Sequence, residues 1–228
     1  MTIGRSFAVT LALLIGVLVI ADTTEIDLWV QDLFFHFDTG LWIINKDDPV
    51  SRMIFYTWAK RAVVLVGIAV FFAFVWTLKF DIVAVPRRDL IVLLLALVLV
   101  PTLISGLKSV TNVHCPWSLT RYGGNLPYVH AMDPEPAGFP EGRVGKCFPA
   151  GHPSGGFAFM VLFLLMRDRR WVGLGIGLTA GWVMGLYQMM KGAHFLSHVV
   201  ITMLLAWLII LTVVAGVDHL LAKKPRRR

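Results

Sequence analysis

Long apolar runs, separated by short polar clusters, dominate the pattern of hydrophobic positions along this chain. Six runs approach or reach the roughly 20 residues that a transmembrane helix needs, and they cover residues 7–21, 62–78, 90–107, 154–166, 171–190 and 195–217. The pattern therefore predicts an all-α, polytopic membrane protein in which six transmembrane helices form a bundle. The whole chain, residues 1–228, is predicted to be a single domain.

The first apolar run has a second interpretation as a cleaved signal peptide. Arg5 precedes the run, and Val19 and Ala21 near its end fit the small-residue pattern of a cleavage site. In both interpretations, the segment that follows begins on the far side of the membrane.

The composition agrees with a membrane protein and excludes a disordered chain or a soluble enzyme. Hydrophobic residues make up 57% of the chain and charged residues 15%, whereas soluble domains contain about 45–50% and about 25%. The mean hydropathy is +0.74. The net charge of +7 arises from basic clusters between apolar runs, a pattern typical of membrane topology signals. We therefore expect a lipid bilayer as partner, and no nucleic acid.

Basic residues mark one side of the predicted bundle. They lie at 87–88, 167–170 and 223–228, after the second, fourth and sixth runs. Because Lys and Arg are enriched in cytoplasmic loops, these loops and the basic tail 218–228 are predicted to be cytoplasmic. The loop 108–148 then lies outside.

The segment 22–61 is also predicted to lie outside, and it contains seven acids. Large apolar residues such as Leu28, Trp29 and Phe34 alternate with these acids. This pattern fits an amphipathic helix at the membrane interface, and it fits equally well a segment that packs against the bundle.

Two further patterns concern packing and cross-linking. Glycine recurs every four residues in the fifth run, at Gly173, Gly177, Gly181 and Gly185, which predicts a helix face that a neighbouring helix approaches closely. The sequence does not say whether that neighbour belongs to the same chain, so the oligomeric state is not predicted.

The two cysteines, Cys115 and Cys147, both lie in the outer loop 108–148 and are candidates for a disulfide, because thiols outside the cytoplasm tend to oxidise.

Polar residues that could bind a ligand or take part in catalysis fall in three clusters on the predicted outer side. The first follows the third run and contains Lys108 and Arg121, two cations suited to an anion. The second, residues 148–156, is rich in Pro and Gly and opens the fourth run. Free N–H groups at such a helix start bind phosphate oxygens. His152, beside Gly151, is therefore a candidate proton donor.

The third cluster extends from Lys191 to His198. On a helix, Lys191, His194 and His198 would fall at i, i+3 and i+7 and share one face. Two histidines at i and i+4 also suit a metal, and His114 and His152 are possible further ligands. A metal site is therefore an alternative interpretation of this cluster.

The order of these clusters resembles the type 2 phosphatidic acid phosphatase superfamily. The pattern of that family is Lys-x6-Arg-Pro, then Pro-Ser-Gly-His, then Ser-Arg-x5-His-x3-Asp, carried by six helices at one membrane face. The resemblance covers roughly residues 60–215. It implies that one histidine attacks phosphorus and forms a phosphohistidine, a second protonates the leaving oxygen, and an acid orients the nucleophile.

The resemblance assigns roles residue by residue. His194 matches the nucleophile, and His152 matches the general acid that later acts as base. The other positions that match the pattern are Lys108, Pro116, Pro149 and Gly151.

Other positions depart from the family pattern. Cys115 and Gln188 stand where the pattern has arginine, Ala150 and Tyr187 where it has serine, and His198 where it has aspartate. Because a transferring phosphoryl group needs positive charge, we expect Lys191 and Arg121 to supply it, with the backbone N–H of Gly151. A neutral His198 is able to accept a hydrogen bond from His194 and so to orient it.

The implied function is an integral membrane lipid phosphatase without a metal or other cofactor. Its substrate would be a lipid phosphate monoester or diphosphate, of the undecaprenyl diphosphate, phosphatidylglycerophosphate, phosphatidic acid or lipid A type. The site would face the periplasm from a bacterial inner membrane, with the C-terminus in the cytoplasm. Two alternatives remain open. One is a lipid phosphotransferase with the same intermediate, and the other is a non-enzymatic metal-binding or transport protein.

Overall fold

Helices form nearly all of the regular structure. The structure, a computed structural model, describes residues 2–80, 85–130, 133 and 145–223. Its α-helices are α1 (Ile3–Thr23), α2 (Ile26–Asp32), α3 (Pro49–Ser51), α4 (Ala59–Lys79), α5 (Arg87–Lys108), α6 (Gly151–Phe157), α7 (Leu162–Leu165), α8 (Arg170–Met190) and α9 (Leu196–Ala222). A π-helix covers Arg52–Trp58, and 3-10 helices cover Pro116–Ser118, Thr120–Tyr122, Ala158–Val161 and Arg167–Arg169. In these ranges the only strands, β1 (Phe35–His36) and β2 (Leu41–Trp42), pair as an antiparallel hairpin. The all-α prediction is confirmed.

Four helices among the described residues are long and apolar enough to cross a membrane, namely Ile3–Thr23, Pro49–Lys79, Arg87–Lys108 and Leu196–Ala222. The fourth predicted run is a shorter, broken helix, Gly151–Leu165. The fifth run is α8, which has 21 residues and is less apolar than these four because of its glycines. The structure therefore supports a membrane protein, whereas the count of six spans stays a prediction. Residues 224–228 of the predicted basic tail lie outside the described residues.

The second long helix begins well before the predicted residue 62. The Asp48 carboxylate accepts a hydrogen bond from the Ser51 backbone N–H over 2.7 Å, and Pro49 occupies the first turn. Both features are typical of a helix start. From Pro49 the helix continues through the π-helical stretch to Lys79. The predicted outer segment 22–61 therefore becomes helical at its C-terminal end, in line with α4.

The N-terminal part of the outer segment packs against the bundle through one face. The Asp27 carboxylate accepts hydrogen bonds from the backbone N–H and the hydroxyl of Ser197, at the start of α9. The Gln31 side chain donates to the Met189 carbonyl at the end of α8 over 2.8 Å. The opposite face of α2 exposes Trp29. The segment is thus amphipathic, and its contacts show packing against the bundle.

Helices α5, α6, α8 and α9 form the centre of the molecule. Their fully buried side chains include Val100 and Ile104 of α5, Phe157 of α6 and Ile210 of α9. Helix α1 packs on α9, and α4 packs on α5. Since Thr77 is the only buried residue of α4, this helix lies at the periphery and presents its apolar side chains outward.

The glycine face of α8 lies against the broken helix α6–α7 of the same chain. A Cβ atom at Gly173 would lie 2.7 Å from the Leu162 carbonyl carbon, and one at Gly156 would lie 2.5 Å from the Gly181 nitrogen. Such distances leave no room for a side chain, so the two backbones are in direct contact. The predicted close packing is confirmed, and it occurs within one chain.

Candidate active site

A cavity of about 760 Å³ lies between α4, α5 and the three polar clusters. One end is polar and is lined by Lys60, Ser105, Lys108, Lys146, Gly151, His152, Gln188 and His194. The other end runs between α4 and α5 and is lined by apolar residues such as Val64, Phe71, Leu94 and Val98. The cavity therefore joins a cationic site to an apolar groove.

The first two polar clusters meet at Lys108 and Gly151. Lys108 is the last residue of α5, and Gly151 is the first residue of α6. A Cβ atom at Gly151 would lie 3.6 Å from the Ser105 hydroxyl and 3.7 Å from Cδ of Lys108. The start of α6 thus lies directly beside the lysine side chain.

His152 is oriented by the π-helical stretch. Its Nε2–H donates a hydrogen bond to the Phe55 carbonyl over 2.9 Å. Its ring stacks on Tyr56, with ring centroids 4.4 Å apart and planes at 15°. Because the carbonyl only accepts, Nε2 carries the hydrogen, which leaves the Nδ1 lone pair free to take part in proton transfer.

His194 is presented by a tight turn after α8. The Gly192 N–H donates to the Met189 carbonyl over 2.9 Å, and the Ala193 N–H donates to the Gln188 carbonyl over 2.8 Å. Gly192 adopts a positive φ of 72°, a conformation that favours glycine. The prediction of one continuous helix face through Lys191, His194 and His198 is wrong, because α8 ends at Met190 and α9 begins at Leu196.

The His194 imidazole is buried, with 4% of the residue exposed. A ring nitrogen forms a hydrogen bond with the Cys147 backbone, and Nδ1 has no partner. Burial, with repulsion from His198 and Lys108, holds the pKa of His194 well below its usual 6.5. The ring is therefore neutral at pH 7, as a nucleophilic imidazole must be.

His198 packs beside His194 but points away from the main cavity. The two ring centroids are 5.8 Å apart with planes at 66°, and no hydrogen bond joins the two imidazoles. The His198 ring also reaches the Cys147 backbone. On its other side it borders a cavity of about 20 Å³, together with Asp27. The structure therefore shows His198 in contact with His194, without the direct hydrogen bond predicted from the sequence.

Cys115 and Cys147 form a disulfide, with their Cα atoms 5.3 Å apart. Both cysteines line the main cavity. The Cys147 N–H also donates to the Val113 carbonyl over 2.9 Å. The two ends of the outer loop are thus joined at the wall of the site, where the Cys147 backbone contacts His194.

Arg121 lies away from the cavity. Its guanidinium forms an ion pair with Asp32 of α2, with Nε to Oδ1 at 2.9 Å. The Tyr122 hydroxyl donates to the same Asp32 oxygen over 2.9 Å. These bonds lower the pKa of Asp32, with the Arg121 bond the largest cause. The structure therefore does not bring Arg121 to the phosphate site that the sequence suggested for it.

Lys191 lies beside the site rather than in its lining. Its ammonium group lies 4.6 Å from the Tyr187 ring centroid and 5.5 Å from the Tyr56 ring centroid, on which His152 stacks. Partial burial, and in second place the charge of Arg52, lowers the pKa of Lys191.

Several polar residues of the cavity lining were not predicted as site residues, and they include Lys60, Lys146 and Gln188. Gln188 is buried, and its Nε2 has no hydrogen-bond partner. Lys146 precedes Cys147 in sequence, and this proximity to a disulfide candidate was the one available signal. Lys60 lies in a segment that the sequence did not connect with the motifs.

The alternative metal site finds no support in the described ranges, where no three His, Cys, Asp or Glu side chains are placed to hold a metal ion.

Comparison with known proteins gives one match. The family model of the PAP2 superfamily matches residues 89–220, which is more than half of the chain. This range includes Lys108, His152, His194 and His198. No curated protein and no solved structure matches the chain.

Proposed function

Because the chain belongs to the PAP2 superfamily, whose members are phosphoric ester hydrolases, we propose that it is a lipid phosphatase. It removes phosphate from a lipid monoester or diphosphate at the membrane surface. The apolar helices and the family together indicate a membrane-embedded phosphatase.

The shape of the main cavity is the observation that carries the lipid assignment. Its polar end holds three lysines, whereas its other end is an apolar groove. From Lys60 to Phe71, both of which line the cavity, α4 rises roughly 16 Å at 1.5 Å per residue. A groove of this length suits an acyl or prenyl chain. A ligand with a phosphate head and an apolar tail matches both ends at once.

His194 is the nucleophile of the proposed reaction. A lone pair on its neutral imidazole attacks the phosphorus atom, and the bond between phosphorus and the lipid oxygen breaks. The electron pair of that bond goes to the leaving oxygen, which takes a proton from Nδ1 of His152. His152 enters this step as the imidazolium and keeps its Nε2–H on the Phe55 carbonyl. The products of this step are a phosphohistidine at His194 and the leaving lipid, which is the lipid alcohol from a monoester and the lipid monophosphate from a diphosphate.

Water completes the reaction. His152, now without its proton, removes a proton from a water molecule as that water attacks phosphorus. The bond between phosphorus and the His194 nitrogen breaks, and its electrons return to the ring. Inorganic phosphate leaves, and both histidines regain their starting protonation states.

The positive charge of the site stabilises the transferring group in place of a metal. Lys108 and the backbone N–H of Gly151 lie together and bind the phosphate oxygens. Lys191 adds charge next to the Tyr56–His152 stack. His198 packs on His194 and restricts the orientation of its ring. Fixed cations and dipoles of this kind act strongly in a site with little water.

The topology of the proposal follows from the charge pattern. The basic clusters support a C-terminus in the cytoplasm, and we propose that the cell is bacterial. The site would then face the periplasm from the inner membrane, an oxidising side on which the Cys115–Cys147 disulfide persists.

Phosphate release by the purified protein in detergent tests this function. The substrates are undecaprenyl diphosphate, phosphatidylglycerophosphate, phosphatidic acid and lipid A, each with EDTA present. We expect release from at least one lipid, and we expect His194→Ala to abolish it with the protein still folded. No release from any lipid, or equal release by the variant, would contradict the proposal. Loss of release in EDTA would overturn its metal-independent chemistry.

A further inference from the structure

The polar end of the cavity contains more positive charge than the motif residues supply. Lys60, Lys108 and Lys146 all line it, and no Asp or Glu is among its described lining residues. Of the described residues, none forms a salt bridge with these three lysines. A cleft lined by charges of one sign focuses its field on an oppositely charged ligand. These lysines, which form no salt bridge with a described residue, therefore indicate an anionic ligand that contacts more cations than Lys108 alone.

Both sequence neighbours of Lys146 are fixed in place beside the cavity. The Gly145 N–H donates to the Asn112 side chain over 2.7 Å, and Gly145 packs so closely that a Cβ there would lie 2.5 Å from the Val113 carbonyl carbon. On the other side, Cys147 is bonded to Cys115. The backbone of Lys146 is thus fixed, although the side chain itself is exposed.

The position of Cys115 relates Lys146 to the family pattern. Cys115 stands where the resembled pattern has its arginine, and its disulfide partner is the neighbour of Lys146. The disulfide thereby holds Lys146 next to the position at which the family pattern has an arginine. Gln188, at the other arginine position, lines the cavity with an uncharged amide. Lys60, in the first turn of α4, supplies charge from outside the matched range 89–220.

We propose that Lys60 and Lys146 bind the phosphate group of the substrate in place of the two motif arginines, and that the Cys115–Cys147 disulfide holds Lys146 in position. This inference rests on the proposed phosphatase function. It assigns two binding residues that lie outside the three motifs.

Inhibition by inorganic phosphate measures this binding directly. The assay uses the intact protein in detergent and the lipid from which the wild type releases phosphate. Lys60→Gln and Lys146→Gln should each weaken inhibition by about tenfold and raise KM similarly, because each removes a charged contact to phosphate. Arginine at either position should restore most of the binding, since it keeps the charge. The matched control is Lys46→Gln, because Lys46 is exposed beside Trp117 and outside the cavity. This control should behave as the wild type.

The role of the disulfide is tested by comparing its removal, the loss of Lys146 and the two changes combined, since effects that act through the same contact do not add. The double variant Cys115→Ser/Cys147→Ser should weaken phosphate inhibition at least as much as Lys146→Gln. Adding Lys146→Gln to the double variant should then have less than a twofold further effect. A full tenfold further loss would overturn the role of the disulfide in placing Lys146.

The same assays distinguish an error in the lysine assignment from an error in the phosphatase assignment. If the wild type releases phosphate and His194→Ala does not, the phosphatase function holds. Wild-type phosphate inhibition in both Lys60→Gln and Lys146→Gln would then overturn the lysine assignment alone. Similar weakening by Lys46→Gln would show a general surface-charge effect and would overturn it as well.

Discussion

Replacement of Gly177 by alanine tests the contact between α8 and the 3-10 helix Ala158–Val161, which directly follows α6, the helix that contains His152. A Cβ atom at Gly177 would lie 2.7 Å from Cα of Met160 and from the Phe159 carbonyl carbon. Both atoms are backbone and cannot rotate away, so the helices must move apart. At Gly175, two residues earlier on α8, a Cβ would meet nothing within 4 Å.

The matched pair isolates the packing cost. Both substitutions gain the same helix propensity, about 0.5–1 kcal/mol, so this gain cancels in the comparison. Overpacking typically costs about 1–3 kcal/mol, and a backbone contact places Gly177→Ala at the upper end. We therefore expect Gly177→Ala to be less stable than Gly175→Ala by about 2–3 kcal/mol.

Unfolding in mixed micelles with increasing SDS, followed by circular dichroism, measures this difference. We also expect lower phosphatase activity in Gly177→Ala, because a shift of α6 displaces His152. Equal stability of the two variants would refute the direct contact between α8 and the broken helix.

Three further predictions concern individual titratable residues. Asp27→Ala should lower the free energy of unfolding by about 2–4 kcal/mol, because it leaves the buried N–H and hydroxyl of Ser197 without their acceptor. An unchanged SDS midpoint would contradict this contact. Arg121→Gln should cost at most about 1 kcal/mol, since its pair with Asp32 is partly exposed, and should leave KM unchanged. A several-fold rise in KM would show that Arg121 binds phosphate and would contradict this prediction. The His194 ring should stay neutral as the pH falls through 6.5, because burial lowers its pKa, and histidine NMR should show no titration of this ring around pH 6.5. Since an unfolded histidine binds a proton near pH 6.5, this group makes the fold less stable as the pH falls below that value.

The apolar pattern predicted the helical class and the approximate position of every long helix. It misplaced the start of the second long helix, because the signal at Asp48–Pro49 is a local cap that lies outside the apolar run. Hydropathy reports where a helix crosses a membrane and is insensitive to a polar extension such as Pro49–Trp58.

The motif residues could be predicted from the sequence because they lie within short, ordered patterns. The failures arose from long-range contacts and from one backbone conformation. Arg121 pairs with Asp32, which is distant in sequence, so no local pattern could reveal it. Gly192, in a left-handed backbone conformation, interrupts the helix that was predicted to continue from Lys191 to His198. Lys60 reaches the cavity only through the packing of α4 on α5.

Detection of a phosphohistidine is the most direct test of the central claim. The protein would be mixed briefly with the lipid substrate labelled in its phosphate, and the reaction would be stopped with base, which preserves phosphohistidine. We expect one acid-labile phosphate per chain, located at His194 by mass spectrometry and absent from His194→Ala. Labelling that persists in this variant, or hydrolysis without any phosphoprotein in the wild type and in His152→Ala, would contradict His194 as the nucleophile.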